Sequence, residues 1–350
     1  MIRGISMIKA TVIGHMDWKS NNMIGAVVKA RNILNQLSMS FPYETISNID
    51  IYNWRKRAPI VLAQIIRSFA QSKNIILIIS DTSGPLMKLL AFLNAVFKRK
   101  ILYVAVGGNM GYNLMQNKEA VQSLSFVDSF FVENIDCVQD MKALGLKNTF
   151  ILRNFKLLSP MSEVDISDTL SRPFKFCTFS RVAKQKGITD AINAIEEINT
   201  ELGEGLCELD VYGKVEYDYE QEFYSLVNSK RHCNYCGVVD GGDSVKILKD
   251  YYCLLFPTKF QTEGIPGTII DAFAAALPVI CSDWQRCRQL IIDGKNGIVY
   301  KFADYSELKK SIIYAINNPE RIKKLKSGCL KAYQDYLPDK AIKPLLERLS

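Results

Sequence analysis

Short apolar runs alternate with helix-like segments along this 350-residue chain, and the alternation constrains the fold more than any other feature. Five strands are predicted in the first half, at Ile8–Gly14, Tyr43–Ile51, Asn74–Ser80, Ile101–Val106 and Ser129–Val132. The helices predicted between and after them are Met23–Leu37, Ile60–Gln71, Pro85–Phe97, Lys118–Leu124 and Cys137–Leu144. Such alternation favours a parallel sheet covered by helices on both faces.

The alternation stops at a polar stretch, residues 158–173, and then starts again. The second series of predicted strands is Phe174–Phe179, Glu208–Tyr212, Tyr235–Val239, Cys253–Pro257 and Pro278–Cys281. A single core stops growing at roughly 250–300 residues. We therefore predict an α/β protein with two doubly wound, Rossmann-like domains that face each other across a cleft, residues 1–157 and 174–337, joined by the linker 158–173. A last helix in 338–350 is expected to pack back on the first domain.

The segment from Phe256 to Ile280 combines a strand end, a glycine–proline turn, two acidic residues and a helix of small residues. Pro266 suits a first helical position, and no helix breaker follows between Gly267 and Ala276. The free N–H groups at the start of such a helix form a site for a phosphate-bearing ligand. Asp271 lies about one turn along the helix and Glu263 precedes the turn, so two carboxylates are expected to flank the anion site.

Two cations follow the first strand of the second domain. Arg181 and Lys186 lie between that strand and the next predicted helix. Ligands of open α/β sheets bind beyond the carboxyl ends of the strands, so both side chains are expected at the ligand-binding edge. Two cations there can bind a diphosphate and stabilise it as it leaves. Alone, the segment would be interpreted as a solvated loop; beside Glu263 and Asp271, it indicates a diphosphate site.

Together these segments resemble the family-4 retaining glycosyltransferases of the GT-B fold. The matching motifs span most of residues 174–300 and are Ser180-Arg181-x4-Lys186-Gly187, Leu209-Asp-Val-Tyr-Gly213, Tyr235-Cys-Gly237, Phe256-Pro-Thr258, Glu263-x7-Asp271, Pro278-Val-Ile280 and Asp293-Gly-Lys-Asn-Gly297. The sequence around Glu263 and Trp284 is similar to bacterial capsule, exopolysaccharide and O-antigen members of that family.

The resemblance implies a role for each matching residue. Glu263 would contact hydroxyls of the donor sugar, and Arg181 and Lys186 would bind the diphosphate. Asp271, at a position where the family usually has Glu, would bind the ribose. Further donor contacts are implied for Gly213, Gly264, Ile265, Pro266 and Gly267. The resemblance also implies retention of anomeric configuration, with no metal or other cofactor, and an oxygen of the leaving diphosphate would accept the acceptor's proton.

Acceptor contacts are expected from the first domain, where the resemblance is thinner. The candidate residues are His15, Asn22, Gly25 and Asn109. His15 ends the first predicted strand, and a structural or substrate-contacting role is favoured over that of a general base. The chain departs from the family pattern at Gly107-Gly108, where a histidine is common, at Ile24-Gly25, where a glycine pair is common, and at Gln285, Arg286 and Gln289.

Positive charge is concentrated in the first half of the chain. Residues 1–155 contain 18 Lys+Arg and 9 Asp+Glu, a net charge of +9, whereas residues 156–350 contain 26 and 27, a net charge of −1. The basic clusters Trp54–Arg57 and Lys98–Lys100 adjoin apolar residues. Such clusters suit an anionic membrane surface, where each basic residue adds about 1 kcal/mol of binding free energy. The alternative is that these basic residues are solvated at the end of a helix, where their positive charge interacts favourably with the helix dipole. Neither cluster lies in a nucleic-acid-binding module, so nucleic acid is not an expected partner.

The sequence motifs of several other enzyme classes are absent from the chain. The chain has no Walker lysine motif, dinucleotide fingerprint, GxSxG elbow or HExxH motif. Cys233 and Cys236 have no second pair at zinc-site spacing, and the nine scattered cysteines predict reduced thiols. No apolar run reaches the ~18–20 residues that span a bilayer, and residues 1–7 lack a signal-peptide core. The expected location is the cytoplasm, peripheral on the inner face of the cell membrane.

The sequence thus predicts an enzyme that transfers a hexose or amino-hexose from a nucleotide diphosphate sugar, with a UDP-sugar favoured over a GDP-sugar. The expected acceptor is a lipid-linked glycan or oligosaccharide of surface polysaccharide biosynthesis. Two alternatives stay open. A nucleotide-sugar epimerase of the same fold would need no acceptor, and a non-catalytic membrane-associated scaffold would bind the donor weakly or not at all.

Overall fold

The computed structural model describes residues 8–18, 25–42, 44–165 and 172–349, and these residues form two compact units. The first unit is drawn from residues 1–156 and 337–350, and the second from residues 157–336. Each unit is built on one six-stranded sheet in which every observed strand pairing is parallel. The predicted α/β class with two doubly wound, Rossmann-like units is confirmed.

The sheet of the first unit has the order β2-β1-β3-β4-β5-β6. Its strands are β1 (Ile8–Gly14), β2 (Ile46–Asp50), β3 (Ser72–Ile78), β4 (Lys100–Val104), β5 (Ser129–Val132) and β6 (Thr149–Ile151). Between them lie α1 (Gly25–Ser40), α2 (Ala58–Gln71), α3 (Pro85–Phe97), α4 (Met110–Met115), α5 (Lys118–Ser123) and α6 (Ile135–Ala143). Because helices cover both faces, the central strands are buried on both sides and consist of nearly continuous apolar residues.

The sheet of the second unit has the order β12-β11-β10-β7-β8-β9. Its strands are β7 (Phe174–Phe179), β8 (Cys207–Tyr212), β9 (Cys233–Gly237), β10 (Cys253–Phe256), β11 (Val279–Ser282) and β12 (Gly297–Tyr300). The helices are α7 (Ile188–Leu202), α8 (Glu220–Asn228), α9 (Ser244–Leu248), α10 (Gly267–Ala274), α11 (Tyr305–Asn317) and α12 (Pro319–Tyr333). β7 and β10 are neighbours at the centre, and the chain leaves them in opposite directions across the sheet.

The end of the chain belongs to the first unit. Helix α13 (Pro338–Leu346) packs against α1, and its residues Ala341, Ile342 and Leu345 join the apolar cluster on the α1 face of the first sheet. Part of the stretch predicted as a linker belongs instead to the second unit. The Met161 N–H donates to Ala274 O over 2.9 Å, and residues Glu163–Asp165 form one 3-10 turn.

Several elements differ from the sequence prediction. β2 begins at Ile46 rather than Tyr43, which lies outside the described residues, and β9 begins at Cys233 rather than Tyr235. The sequence prediction missed five elements of the fold, namely α4, β6, β12, α11 and α12. All of them extend the two sheets or their helical layers and leave the predicted class unchanged.

A buried ion pair connects helix α1 with the strand ends of the first sheet. Lys29 on α1 donates from Nζ to Glu133 Oε1 over 2.7 Å and to Ala105 O over 2.7 Å. The two charged side chains are only 5% and 6% exposed. Ala105 follows β4 and Glu133 follows β5, so this one ammonium group ties α1 to the carboxyl ends of two adjacent strands.

The Lys29→Met variant tests this contact. It leaves the Glu133 carboxylate buried without its partner, and we expect the free energy of unfolding of the first unit to fall by about 3–5 kcal/mol. Urea denaturation followed by circular dichroism measures the change.

The paired variant Lys29→Met/Glu133→Leu is the control. Because an apolar pair of similar volume replaces a buried ion pair at little net cost, most of the lost stability should return. A double variant as unstable as the single one would contradict a role for the ion pair.

Candidate functional site

The centre of the second sheet gathers the predicted donor residues. Residues 180–187 follow β7 and residues 257–266 follow β10, and both segments leave the sheet at its carboxyl edge. Because β7 and β10 are adjacent and their connections run to opposite sides, this is the topological switch point at which α/β sheets bind ligands.

Backbone contacts hold the two segments together. The Lys259 N–H donates to Gln185 O over 2.8 Å. Gly187 has φ +70, and a Cβ at this position would overlap the carbonyl of Pro257. A non-glycine residue would therefore be both strained and obstructed here. The 3-10 turn Lys184–Lys186, which ends at Gly187, is consequently fixed against the end of β10.

The structure brings Lys186 and Glu263 into direct contact. Lys186 Nζ donates to Glu263 Oε2, and the two side chains are 9% and 14% exposed. Thr258 Oγ1 lies 3.4 Å from the same carboxylate oxygen, and the Lys186 ammonium lies 5.6 Å from the centre of the Phe256 ring. From the sequence, Glu263 is expected at the donor sugar and Lys186 at the diphosphate, and the ion pair between them was not predicted.

The loop that carries Glu263 is held from the neighbouring strand. Ser282 Oγ, at the end of β11, donates to Thr258 O over 2.6 Å. Arg286 is 4% exposed, and its Nη1 lies 3.4 Å from Thr262 O and 3.5 Å from Glu263 O. Arg286 was noted in the sequence as a departure from the family pattern. Its contacts with these two carbonyl oxygens support the Glu263 loop.

Helix α10 starts beside this loop. Pro266 is the N-cap residue and not the first helical residue as predicted, because its ψ of 127 keeps it extended. The candidate residues Gly264, Ile265, Pro266 and Gly267 are partly exposed in the turn that leads into the helix. Thr268 was not predicted; it is 8% exposed, and within the described part of the chain its Oγ1 has no hydrogen-bond partner.

Asp271 lies on the buried side of α10. It is 1% exposed, and its Oδ1 accepts a hydrogen bond of 2.8 Å from Ser244 Oγ at the start of α9. The carboxylate is thus positioned by a neighbouring helix. Its burial also limits the direction from which a ligand could reach it.

Arg181 is placed differently from Lys186. Its side chain is 61% exposed and forms an ion pair with Glu216, a residue that the sequence analysis did not single out. Gly213 shapes this segment, since its φ is +132 and a Cβ there would overlap Ser180 O. Gly213 also donates its N–H to Gly237 O over 2.8 Å. The predicted site residues of the second unit therefore include one largely buried ion pair, Lys186–Glu263, and one exposed pair, Arg181–Glu216.

The candidate acceptor residues of the first unit follow β1 and β4. Burial lowers the pKa of His15, and the nearby Asp50 carboxylate partly offsets the effect. The His15 ring packs edge-on against Tyr52 with 6.4 Å between ring centroids. Gly25 begins α1 with open space at its Cβ position, and Asn109 precedes α4. Asn22 lies outside the described residues.

Residues 8–18, 25–42, 44–165 and 172–349 include neither a metal-binding cluster nor a membrane-spanning helix. No group of three or more His, Cys, Asp or Glu side chains in these ranges is arranged to hold a metal ion. Nor is any helix in these ranges both long and apolar enough to cross a bilayer. All nine cysteines lie within the same ranges and are unpaired thiols; only Cys236 is exposed.

Residues 164–329 match the family model described as "Glycosyl transferases group 1". An uncharacterized glycosyltransferase of Methanocaldococcus jannaschii is 24% identical over 232 residues, which cover 65% of this chain and 56% of the relative. The chain thus aligns with little more than half of that relative's length. Over just under half of its length, therefore, this chain is similar to group 1 glycosyltransferases.

Solved structures show the same fold. Anabaena Alr3699/HepE, crystallised with UDP and glucose, matches with a TM-score of 0.74 at 15% identity and covers 98% of this chain and 99% of its own. The lipopolysaccharide outer core galactosyltransferase WaaB, in its apo form, matches with a TM-score of 0.63 at 16% identity and coverages of 97% and 99%. The fold is therefore GT-B.

The close approach at Gly187 predicts a specific effect of Gly187→Ala. The new Cβ would be strained by the positive φ and would overlap Pro257 O, which separates the Lys186 segment from the end of β10. We expect a loss of unfolding free energy clearly above the about 1–2 kcal/mol of left-handed strain alone. Urea denaturation of the wild type and the variant measures this loss.

Gly205→Ala is the matched control, because Gly205 has φ +68 and nothing within 4 Å of its Cβ position. This variant should lose only the strain energy. Equal losses in the two variants would show that the contact with Pro257 is not tight.

Proposed function

We propose that this chain is a retaining glycosyltransferase that transfers a hexose or amino-hexose from a UDP-sugar to a lipid-linked glycan during surface polysaccharide biosynthesis. The observation that carries the proposal is the largely buried Lys186–Glu263 pair at the switch point of the second sheet, next to the start of α10. The group 1 match over residues 164–329 and the UDP complex of the similar Anabaena protein support the type of donor.

The proposed diphosphate site combines a helix start with two cations. The N–H groups in the first turn of α10 favour a negative charge, and the Thr268 hydroxyl can add a hydrogen bond. A lysine ammonium has three donor hydrogens, so Lys186 can bind a phosphate oxygen while it still contacts Glu263. Arg181 would exchange its exposed contact with Glu216 for the diphosphate, which is feasible because surface ion pairs are weak.

The sugar and ribose contacts follow from the same geometry. Glu263 would accept hydrogen bonds from donor-sugar hydroxyls, and its orientation is fixed by Lys186 and Thr258. The turn Gly264–Gly267 would contact the sugar and phosphates through its backbone, and Gly213 would line the donor site from the β8 side. Asp271 would bind the ribose, and because it is 1% exposed, this requires a local movement near α9 or the loop before α10.

In the proposed reaction, the bond between the anomeric carbon and the diphosphate oxygen breaks, and the bonding electrons leave with the diphosphate. Lys186, Arg181 and the α10 N–H groups stabilise the negative charge that develops. The acceptor hydroxyl attacks from the same face, and its proton passes to an oxygen of the leaving diphosphate. This step needs neither a side-chain base nor a metal ion. The first unit would bind the acceptor, with His15, Asn22, Gly25 and Asn109 as candidate contacts, at the inner face of the cell membrane.

The charge of Lys186 provides the first test. We expect Lys186→Met to weaken UDP binding by about tenfold or more, since a charge-assisted hydrogen bond contributes about 1.5–3 kcal/mol, and to abolish sugar transfer. Isothermal titration calorimetry with UDP and product analysis with a panel of UDP-sugars measure both effects.

Lys184→Met is the matched control, because Lys184 lies in the same 3-10 turn but is exposed and paired with Glu222 over 2.6 Å. It should bind UDP nearly as well as the wild type. Unchanged UDP affinity in Lys186→Met would contradict the diphosphate assignment, and a sugar product formed without any acceptor would favour an epimerase.

If Asp271 binds the ribose, removing the ribose hydroxyls and changing the Asp271 side chain should have coupled effects on affinity. Wild-type protein should bind UDP about tenfold or more tightly than 2′,3′-dideoxy-UDP, because the dideoxy compound leaves a buried carboxylate without its ligand partners. Asp271→Asn keeps an oxygen that can accept from Ser244, yet it should lose most of this discrimination. Calorimetric titration of both proteins with both ligands gives the four affinities that this comparison needs. Equal discrimination by the two proteins would rule out Asp271 as the ribose ligand.

A further inference from the structure

Two helices of the first unit present apolar side chains to the solvent. α2 and α3 pack against each other and on the same face of the sheet, through Val61, Ile65, Phe69, Leu86, Met87, Leu90 and Leu93. Their outer sides are also largely apolar. Ile60 and Ile66 on α2 are 63% and 47% exposed, and Phe92 and Val96 on α3 are 67% and 61% exposed.

The same region carries the chain's excess of positive charge. Residues 51–118 contain ten Lys+Arg and one acidic residue, a net charge of +9, which exceeds the +8 of the whole chain. That acidic residue, Asp81, is used locally, where its Oδ1 accepts from the N–H groups of Ser83 and Gly84 at the start of α3. The two helices are therefore surrounded by positive charge with little internal compensation.

Some of these cations serve the fold and others face the solvent. Arg99 donates from Nε to Phe69 O over 2.7 Å and so holds the end of α2. Lys88 and Lys98 are exposed and form no ion pair within the described residues. Lys88 lies one turn before Phe92, and Lys98 directly follows α3, so the exposed apolar residues of α3 lie between two exposed lysines.

This pattern matches the surface of a protein that lies on a bilayer. Interfacial helices insert an apolar face into the boundary between headgroups and acyl chains, while flanking Lys and Arg contact anionic headgroups. A nucleic-acid surface has a different pattern, because its affinity comes mainly from phosphate contacts and gains little from exposed isoleucine and valine. The apolar side chains between the lysines therefore favour lipid over another polyanion.

We propose that this α2–α3 face, formed by Ile60, Ile66, Lys88, Phe92, Val96 and Lys98, docks the protein on an anionic lipid bilayer. The inference concerns the first unit alone and goes beyond the proposed reaction, because it assigns the membrane contact to one surface. Its test needs no donor sugar, so it stands or falls separately from the transferase activity.

Vesicle co-sedimentation of the full chain tests the proposal. The wild type should bind vesicles of equal parts phosphatidylcholine and phosphatidylglycerol, should bind pure phosphatidylcholine vesicles weakly, and should be released by salt. Each basic residue near an anionic surface strengthens partitioning roughly fivefold. Lys88→Glu/Lys98→Glu should therefore weaken binding roughly 25-fold or more.

Lys340→Glu/Lys343→Glu is the matched control. It makes the same change in net charge on α13, which covers the opposite face of the same sheet, and both lysines are exposed. This variant should keep most of the wild-type binding, and both variants should bind UDP as the wild type does. Equal losses in the two variants, or a wild type that does not distinguish anionic from neutral vesicles, would overturn the proposal.

The apolar residues need a separate variant. Phe92→Ser/Val96→Ser changes exposed side chains, so it should melt as the wild type does, and it should weaken vesicle binding roughly tenfold because apolar area no longer inserts. Unchanged vesicle binding by this variant, together with equally tight binding of the wild type to single-stranded RNA, would show a general polyanion surface and overturn the assignment to lipid.

Discussion

The contact between Lys186 and Glu263 is the interaction on which the proposed donor site of the second unit depends. It joins the segments that follow β7 and β10, the two central strands of the sheet, at the point where ligands of this fold class bind. A largely buried ion pair is a poor source of stability, because the loss of hydration offsets much of the attraction between the charges. Its value lies in placing an ammonium and a carboxylate where a charged sugar donor would need both.

The surrounding structure serves to hold this pair. Gly187 lets the Lys186 segment approach Pro257, and the Ser282 and Arg286 side chains bind backbone carbonyls of the segment that carries Glu263. The first unit repeats the principle, since the buried Lys29 reaches the carboxyl ends of two strands. In both units, therefore, buried charge is concentrated at the sheet edge where parallel α/β proteins have their chemistry.

Much of the fold could be predicted from the sequence. β1, α3, β5 and β7 have the predicted bounds residue for residue; Gly14 ends β1 and Pro85 begins α3. β6 and β12 were missed because three or four residues are too few to show a period. The start of α11 could have been predicted, because Asp304 is a favourable N-cap residue. Its side chain accepts a hydrogen bond from the N–H of Glu307. The choice of ion-pair partners was beyond prediction, since Lys186 and Glu263 are 77 residues apart in the sequence and Arg181 and Glu216 are 35 residues apart. The Thr268 hydroxyl, which has no hydrogen-bond partner among the described residues, likewise becomes apparent only when α10 is packed.

The most direct test of the account is a crystal structure of the chain with UDP. Phosphate oxygens should lie within hydrogen-bond distance of Lys186 Nζ and of the N–H groups that open α10, with Lys186 still beside Glu263 and the ribose against Asp271. A nucleotide bound elsewhere in the chain, or one bound in the second unit with its phosphates away from Lys186 and α10, would contradict a donor site at the Lys186–Glu263 pair.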